Sequence, residues 1–191
     1  MTTLNLQVSA DADDACELAG TTSLNITQAV DFTTDWGGTR FQNVTIPNAA
    51  TINTAVWSGM PASSAADEPD LDFYAEDADT TSQFTAGINT DISGRARTTA
   101  TVLWDSANLG ADGATFFSPP DISALIAEVT VRAGWASGNS LVVVYNGGLV
   151  DTRDFGPVDY ATSSTNACKL DIDYTAGTTT RRYSLTLTGV G

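Results

Sequence analysis

Carboxylates are the chemistry this sequence holds in quantity. Four glutamates, Glu17, Glu68, Glu76 and Glu128, stand among many aspartates. A facing pair of such acids is the minimum equipment for glycoside hydrolysis, one protonating the leaving oxygen while the other attacks or activates water. Two runs are the clusters to watch: Asp67, Glu68 and Asp70, and then Glu76, Asp77 and Asp79. Loop acids and backbone carbonyls are the ligands calcium prefers, so Glu76, Asp77 and Asp79 are the candidate calcium residues, although neither run has the spacing of an EF-hand loop. The plain alternative is a solvated acidic loop.

Histidine is absent, which removes Ser-His-Asp and Cys-His nucleophiles. Zinc sites draw on histidine and closely spaced cysteines, and Cys16 and Cys168 are too distant in sequence to supply a tetrahedral set. No phosphate-binding glycine loop occurs, and Gly147-Gly148 reads as a turn. No catalytic residue is assigned, and the expected protein is not an enzyme. The tryptophans offer a different chemistry, because a flat ring can stack on a sugar. Trp104, closing an alternating strand, and Trp135, after a helix stop, are expected in the core. Trp36, beside Gly37-Gly38, is the exposed candidate for a glycan ligand.

Charge narrows the partners. Lys+Arg number 8 against 23 Asp+Glu, a formal net charge of -15, and Lys169 is the only lysine. Nucleic acid is not an expected partner, since binding a polyanion takes clustered cations. Here the few cations are scattered except for Arg95/Arg97 and Arg181/Arg182, and each pair reads as local ion-pair partners. The amino terminus lacks the basic start and apolar stretch of a signal peptide. The longest apolar run, Leu141 to Tyr145, falls far short of the roughly 20 residues that span a bilayer. Synthesis in the cytoplasm and no membrane partner are the corresponding expectations, with free or buried thiols at Cys16 and Cys168 favoured over the one bridge that would link the chain's two ends if their strands are neighbours.

These residues must be positioned by short strands. With 42% hydrophobic and 16% charged residues in 191, the chain can fill one core, and Thr-rich alternating stretches favour a sheet. Apolar positions alternate at Leu4/Leu6/Val8, Leu24/Ile26, Arg40 to Ile46, Ile52/Thr54/Val56, Leu71 to Ala75, Ala100 to Trp104, Leu170/Ile172/Tyr174 and Tyr183/Leu185/Leu187. Asp35 to Gly38 reads as a turn region, and the segment after Pro47-Asn48 as a hairpin-like return. Leu141 to Tyr145, apolar throughout, belongs in the middle of a sheet covered on both faces, with Asn146-Gly147-Gly148 turning after it. One helix is expected: Ser118-Pro119-Pro120-Asp121 starts it, Ile122, Leu125, Ile126 and Val129 form its apolar stripe, and Gly134 ends it. The fold class is therefore all-β, a single β-sandwich with one short α-helix packed on it. Residues 1–174 make the sandwich, and 175–191 a carboxyl tail or added edge strand.

Several stretches, taken together, resemble a jelly-roll module of phage virion proteins and secreted bacterial proteins, similar to DNRLRE-type and carbohydrate-binding-module-like domains. They are Arg40-Phe41-Gln42-Asn43-Val44-Thr45-Ile46-Pro47 with Ala50-Thr51-Ile52, Glu76-Asp77-Ala78-Asp79, Ser93-Gly94-Arg95-Ala96-Arg97-Thr98-Thr99, and Pro120-Asp121-Ile122-Ser123 through Arg132-Ala133-Gly134-Trp135 to Leu141. The resemblance implies assembly or surface attachment and brings no catalytic residues. It points to a bacteriophage capsid decoration, or cement, protein on the virion surface. The implied partners are the major capsid protein and sister subunits in a homotrimer; the alternative is a glycan- or receptor-binding module of a tail or fibre.

Overall fold

The structure, a computed structural model, describes residues 1–18, 20–24, 35–60, 70–105, 115–147 and 161–177. The strands described are β1 (Thr2–Gln7), β2 (Asp14–Leu18), β3 (Thr21–Ser23), β4 (Trp36–Val44), β5 (Thr51–Ser58), β6 (Asp70–Ala75), β7 (Val102–Asp105), β8 (Asn139–Gly147) and β9 (Lys169–Thr175), with one helix, α1 (Ser123–Thr130). Every pairing between them is antiparallel. They form a small sheet ordered β1-β9-β5 and a large sheet ordered β3-β2-β4-β8-β6-β7. The two sheets pack together as an all-β, jelly-roll-like sandwich.

The apolar run 141–145 lies where its composition requires. It is the centre of β8, paired with β4 on one side and β6 on the other, and each of its residues is buried. Leu141, Val143 and Tyr145 point into the interior between the sheets, whereas Val142 and Val144 join Ala15, Phe84 and Ile92 in a second apolar layer on the opposite face. That layer exists because residues 77–98, here called the strap, cross the outer face of the large sheet. Between the sheets, Trp57 lies 5.3 Å, centroid to centroid, from both Phe73 and Tyr145. The Nε1–H of Trp57 donates to Thr39 Oγ1 at 2.9 Å, so the ring is buried without stranding its polar atom.

Helix α1 closes one side of the sandwich, touching β5 in the small sheet and β6 in the large one. Its expected stripe, Ile122, Leu125, Ile126 and Val129, is fully buried. Asp121 Oδ1 accepts from the amide of Ser123 at 2.8 Å and from that of Ala55 at 2.9 Å, capping the helix and fastening it to β5 with one carboxylate. The helix ends at Thr130, ahead of Gly134. Turns closed by Arg132 N–H to Val129 O and Trp135 N–H to Arg132 O follow, and they bring Trp135 Nε1 to Ile46 O at 2.9 Å.

Several expectations need correction. Asp35 to Gly38 does not turn, because β4 already begins at Trp36, and Gly37 and Gly38 pair with Tyr145 and Val144. A Cβ at Gly37 would lie 2.1 Å from Tyr145 Cε2, and one at Gly38 would lie 2.6 Å from Phe84 Cζ. Each glycine thus marks a close approach of an aromatic ring to a strand, one on either face. The chain from β4 to β5 is no hairpin, since the two strands belong to different sheets. In β5 a register shift between Ile52 and Thr54 changes the inward face, so Ala55 and Trp57 are buried and Val56 turns outward, 37% exposed. Asn146 and Gly147 lie within β8. Gly148, Ile26, the 183–187 alternation and the tail from 178 onward lie outside the described residues. Cys16 and Cys168 are both buried, with no disulfide between them.

Candidate functional site

Among the described residues, the acids proposed for calcium or catalysis converge on arginines and backbone amides. Glu76, which follows β6, accepts from Arg95 Nη1 at 2.7 Å. Arg95 also reaches Asp91 Oδ1 at 3.3 Å and lies 4.6 Å over the ring of Phe84. Asp77 and Asp79 both accept from Arg132, the latter through Nε at 2.8 Å. The two carboxylates raise the Arg132 pKa, Asp79 contributing more than Asp77. Gly134 makes room for this pair, because a Cβ there would come within 2.0 Å of Asp79 Oδ2. No group of three acid or cysteine side chains among the described residues is arranged to hold a metal ion.

The other glutamates bind backbone. Glu17 is 2% exposed on β2. Its carboxylate accepts from the amides of Ile92 and Ser93, at 3.0 and 2.9 Å, and from Ser93 Oγ at 2.6 Å. Burying a charge is costly unless it is hydrogen-bonded in this way. Glu128, on α1, accepts from the amides of Thr99 and Ala100 at 2.7 and 2.9 Å, holding the approach to β7 against α1. Glu68 lies outside the described residues. Asp13, also buried, receives Arg40 Nη1 at 2.6 Å and Gln42 Nε2, while Arg40 Nε donates to Thr81 O at 3.1 Å. Asp13, Glu17, Glu76, Asp77 and Asp79 together fasten the strap and its flanks. The sequence hides this role because the partners lie tens of residues away.

Trp36 begins β4 and is partly buried. The guanidinium of Arg97 sits 4.6 Å over its ring and 5.7 Å over that of Tyr74, a cation–π stack that covers one face of the indole. Lys169 Nζ lies 3.9 Å over Phe116. Arg40, Arg95, Arg97, Arg132 and Lys169 thus all have partners within the chain.

The small sheet presents a different surface. Its outer face carries a shallow depression of about 130 Å³ lined by Thr3, Thr54, Val56, Asp171, Ile172 and Asp173. That is well below the roughly 300–1,000 Å³ of clefts that enclose organic ligands. No helix among the described residues is long and apolar enough to cross a membrane. No known family model matches the chain, and no curated protein matches it.

Proposed function

We propose that this chain is a non-catalytic structural protein of a bacteriophage virion, a decoration protein standing on the outer capsid shell and reinforcing it through contacts with the major capsid protein and sister subunits. One observation carries the reading: among the described residues, the acids and aromatics with chemical potential are engaged inside the molecule, whereas the small sheet keeps a shallow outer face that no described segment covers. The resemblance, which spans Arg40 to about Tyr174, supplies the virion setting. The net charge of -15 suits an outward location, since an acidic surface is repelled by packaged DNA and keeps particles apart in suspension. Electron microscopy of purified virions labelled with an antibody to this chain is expected to show label over the whole capsid. Label confined to tails, or none on particles, overturns the proposal.

A further inference from the structure

A sheet edge offers unpaired N–H and C=O groups to any extended chain, and folded proteins blunt such edges with charge, proline, bulges, short strands or covering segments. Three of the four sheet edges here are blunted. Along β5, Ala55 bonds to Asp121 and Ile122, and Gly59, just beyond the strand, exchanges two backbone hydrogen bonds with Phe117. The three-residue β3 is covered by the strap, with Thr22 bonded to Gly87 and Ile88. The edge strand β7 has four residues and ends on Asp105.

The fourth edge is β1, Thr2-Thr3-Leu4-Asn5-Leu6-Gln7, six residues in unbroken register with β9. It contains no charge, proline or glycine, and no described residue pairs with its outer side. Its inward side chains, Leu4 and Leu6, are only partly buried, unlike Leu170 and Ile172 opposite them. Leu18 of β2 is another partly buried residue on the same core. Another strand beside β1 would cover Leu4 and Leu6.

We propose that this strand is β1 of a second copy, related by a two-fold axis through Asn5. The hydrogen-bond phase sets the register. Val8 N–H donates to Cys168 O at 3.0 Å, so Val8, Leu6, Leu4 and Thr2 bond toward β9, while the N–H and C=O of Thr3, Asn5 and Gln7 point to the open edge. Antiparallel pairing must match outward groups with outward groups. Centring on Asn5 sets Thr3 against Gln7 of the other copy, Asn5 against Asn5, and Leu4 against Leu6 on the inner face. The two small sheets would then run together as one.

Charge permits this contact despite the acidity of the whole. The nearest carboxylates, Asp171 and Asp173, lie on β9, so those of the two copies are three strand spacings apart. That is about 14 Å, beyond the roughly 8 Å screening length at physiological salt. Strand pairing is pairwise, so β1 specifies two copies, where the resemblance implies three. The contact is small against the roughly 1,200–2,000 Å² of stable complexes. The dimer is therefore expected only at about 0.1 mM protein and above.

Two measurements test this. Sedimentation of the purified chain in physiological salt is expected to show the mass doubling as concentration rises, with N5K remaining monomeric and melting at the wild-type temperature. Under mild oxidation N5C is expected to cross-link to a dimer, because paired Cα atoms about 5.5 Å apart are within disulfide reach. T3C is expected not to, because Thr3 faces Gln7. A wild-type chain that stays monomeric at all concentrations overturns the proposal, as do equal cross-linking of N5C and T3C or none by either. The capsid reading is untouched by any of these results.

Discussion

Val144, on the central strand β8, and Val56, on the edge strand β5, both point away from the interior of the sandwich, and they meet opposite fates. Val144, on the large sheet, is fully buried beneath Phe84 and Ile92 of the strap, while Val56, on the small sheet, is 37% exposed beside Thr54 and Asp171. Both side chains leave an extended strand on the side away from the interior. The difference is a covering segment, and that segment is fastened at its ends and along its flanks by buried or half-buried charges. Among the described residues, many of the charged hydrogen-bonding groups thus serve one face, and no described segment covers the other.

If the strap depends on its polar fastenings, removing the most buried one should have the largest effect. Glu17→Ala leaves the amides of Ile92 and Ser93 without their acceptor, at an expected cost of about 3 kcal/mol. Denaturant unfolding would measure the loss, and faster amide exchange at residues 92 and 93 would localise it. Glu17→Gln, which keeps one acceptor oxygen, should lose about 1 kcal/mol. A loss below about 0.5 kcal/mol for the alanine variant would mean that Phe84 and Ile92 hold the strap by apolar contact alone.

The apolar half of the comparison is tested by two identical substitutions. Val144→Ala should destabilise by about 2 kcal/mol, because it opens a cavity beneath the strap. Val56→Ala should change stability by less than about 0.5 kcal/mol. Thermal unfolding of both variants under one condition is sufficient, and equal effects would erase the distinction between the two faces.

The two-sided burial of β8 was legible in the sequence, because five apolar residues in succession fit only a strand covered twice. The helix stripe was legible too, from spacing alone. What covers β8 was not. The strap is polar, and its hold depends on Glu17 meeting Ile92 and on Asp79 meeting Arg132, contacts set by the fold rather than by local pattern. Gly37-Gly38 misled for a related reason: two glycines usually mark a turn, and only the rings of Tyr145 and Phe84 above them reveal a strand. At β5 the bulge exchanged the two faces, which sent Val56 out and Trp57 in, so simple alternation assigned the wrong residues to the core. The acid clusters were visible as clusters, but the arginines that claim them are distant in sequence.

Alkaline pH should weaken the interior between the sheets. Burial pushes the Tyr145 pKa well above its ordinary value, with Cys168, Asp14 and Cys16 adding to the rise. Burial does the same to Cys168, assisted by Asp14. Both groups are neutral when protonated, so the unfolded chain gives up these protons at lower pH than the folded one. The stabilisation is complete below the unfolded pKa values, about 8.5 for cysteine and 10 for tyrosine. It is lost progressively above them, at no more than about 1.4 kcal/mol per pH unit for each group. Circular dichroism melts between pH 7 and pH 11 should show a midpoint flat to about pH 8 and then falling, and Cys168→Ala should delay the onset of the fall.

The smallest effect is expected at the most exposed fastening. Arg132 and its partners Asp77 and Asp79 have side chains 31%, 38% and 45% exposed, so water and salt already screen their attraction. Arg132→Gln should lower the melting midpoint slightly in dilute buffer, and the difference should shrink in about 1 M salt, where the screening length falls to roughly 3 Å. Glu17→Ala should lose as much stability in salt as without it, because what it removes is a set of buried hydrogen bonds. If Arg132→Gln instead keeps its full effect at high salt, the guanidinium acts by packing between the strap and the turn after α1, and the exposed end of the strap is fixed in the same way as the buried end.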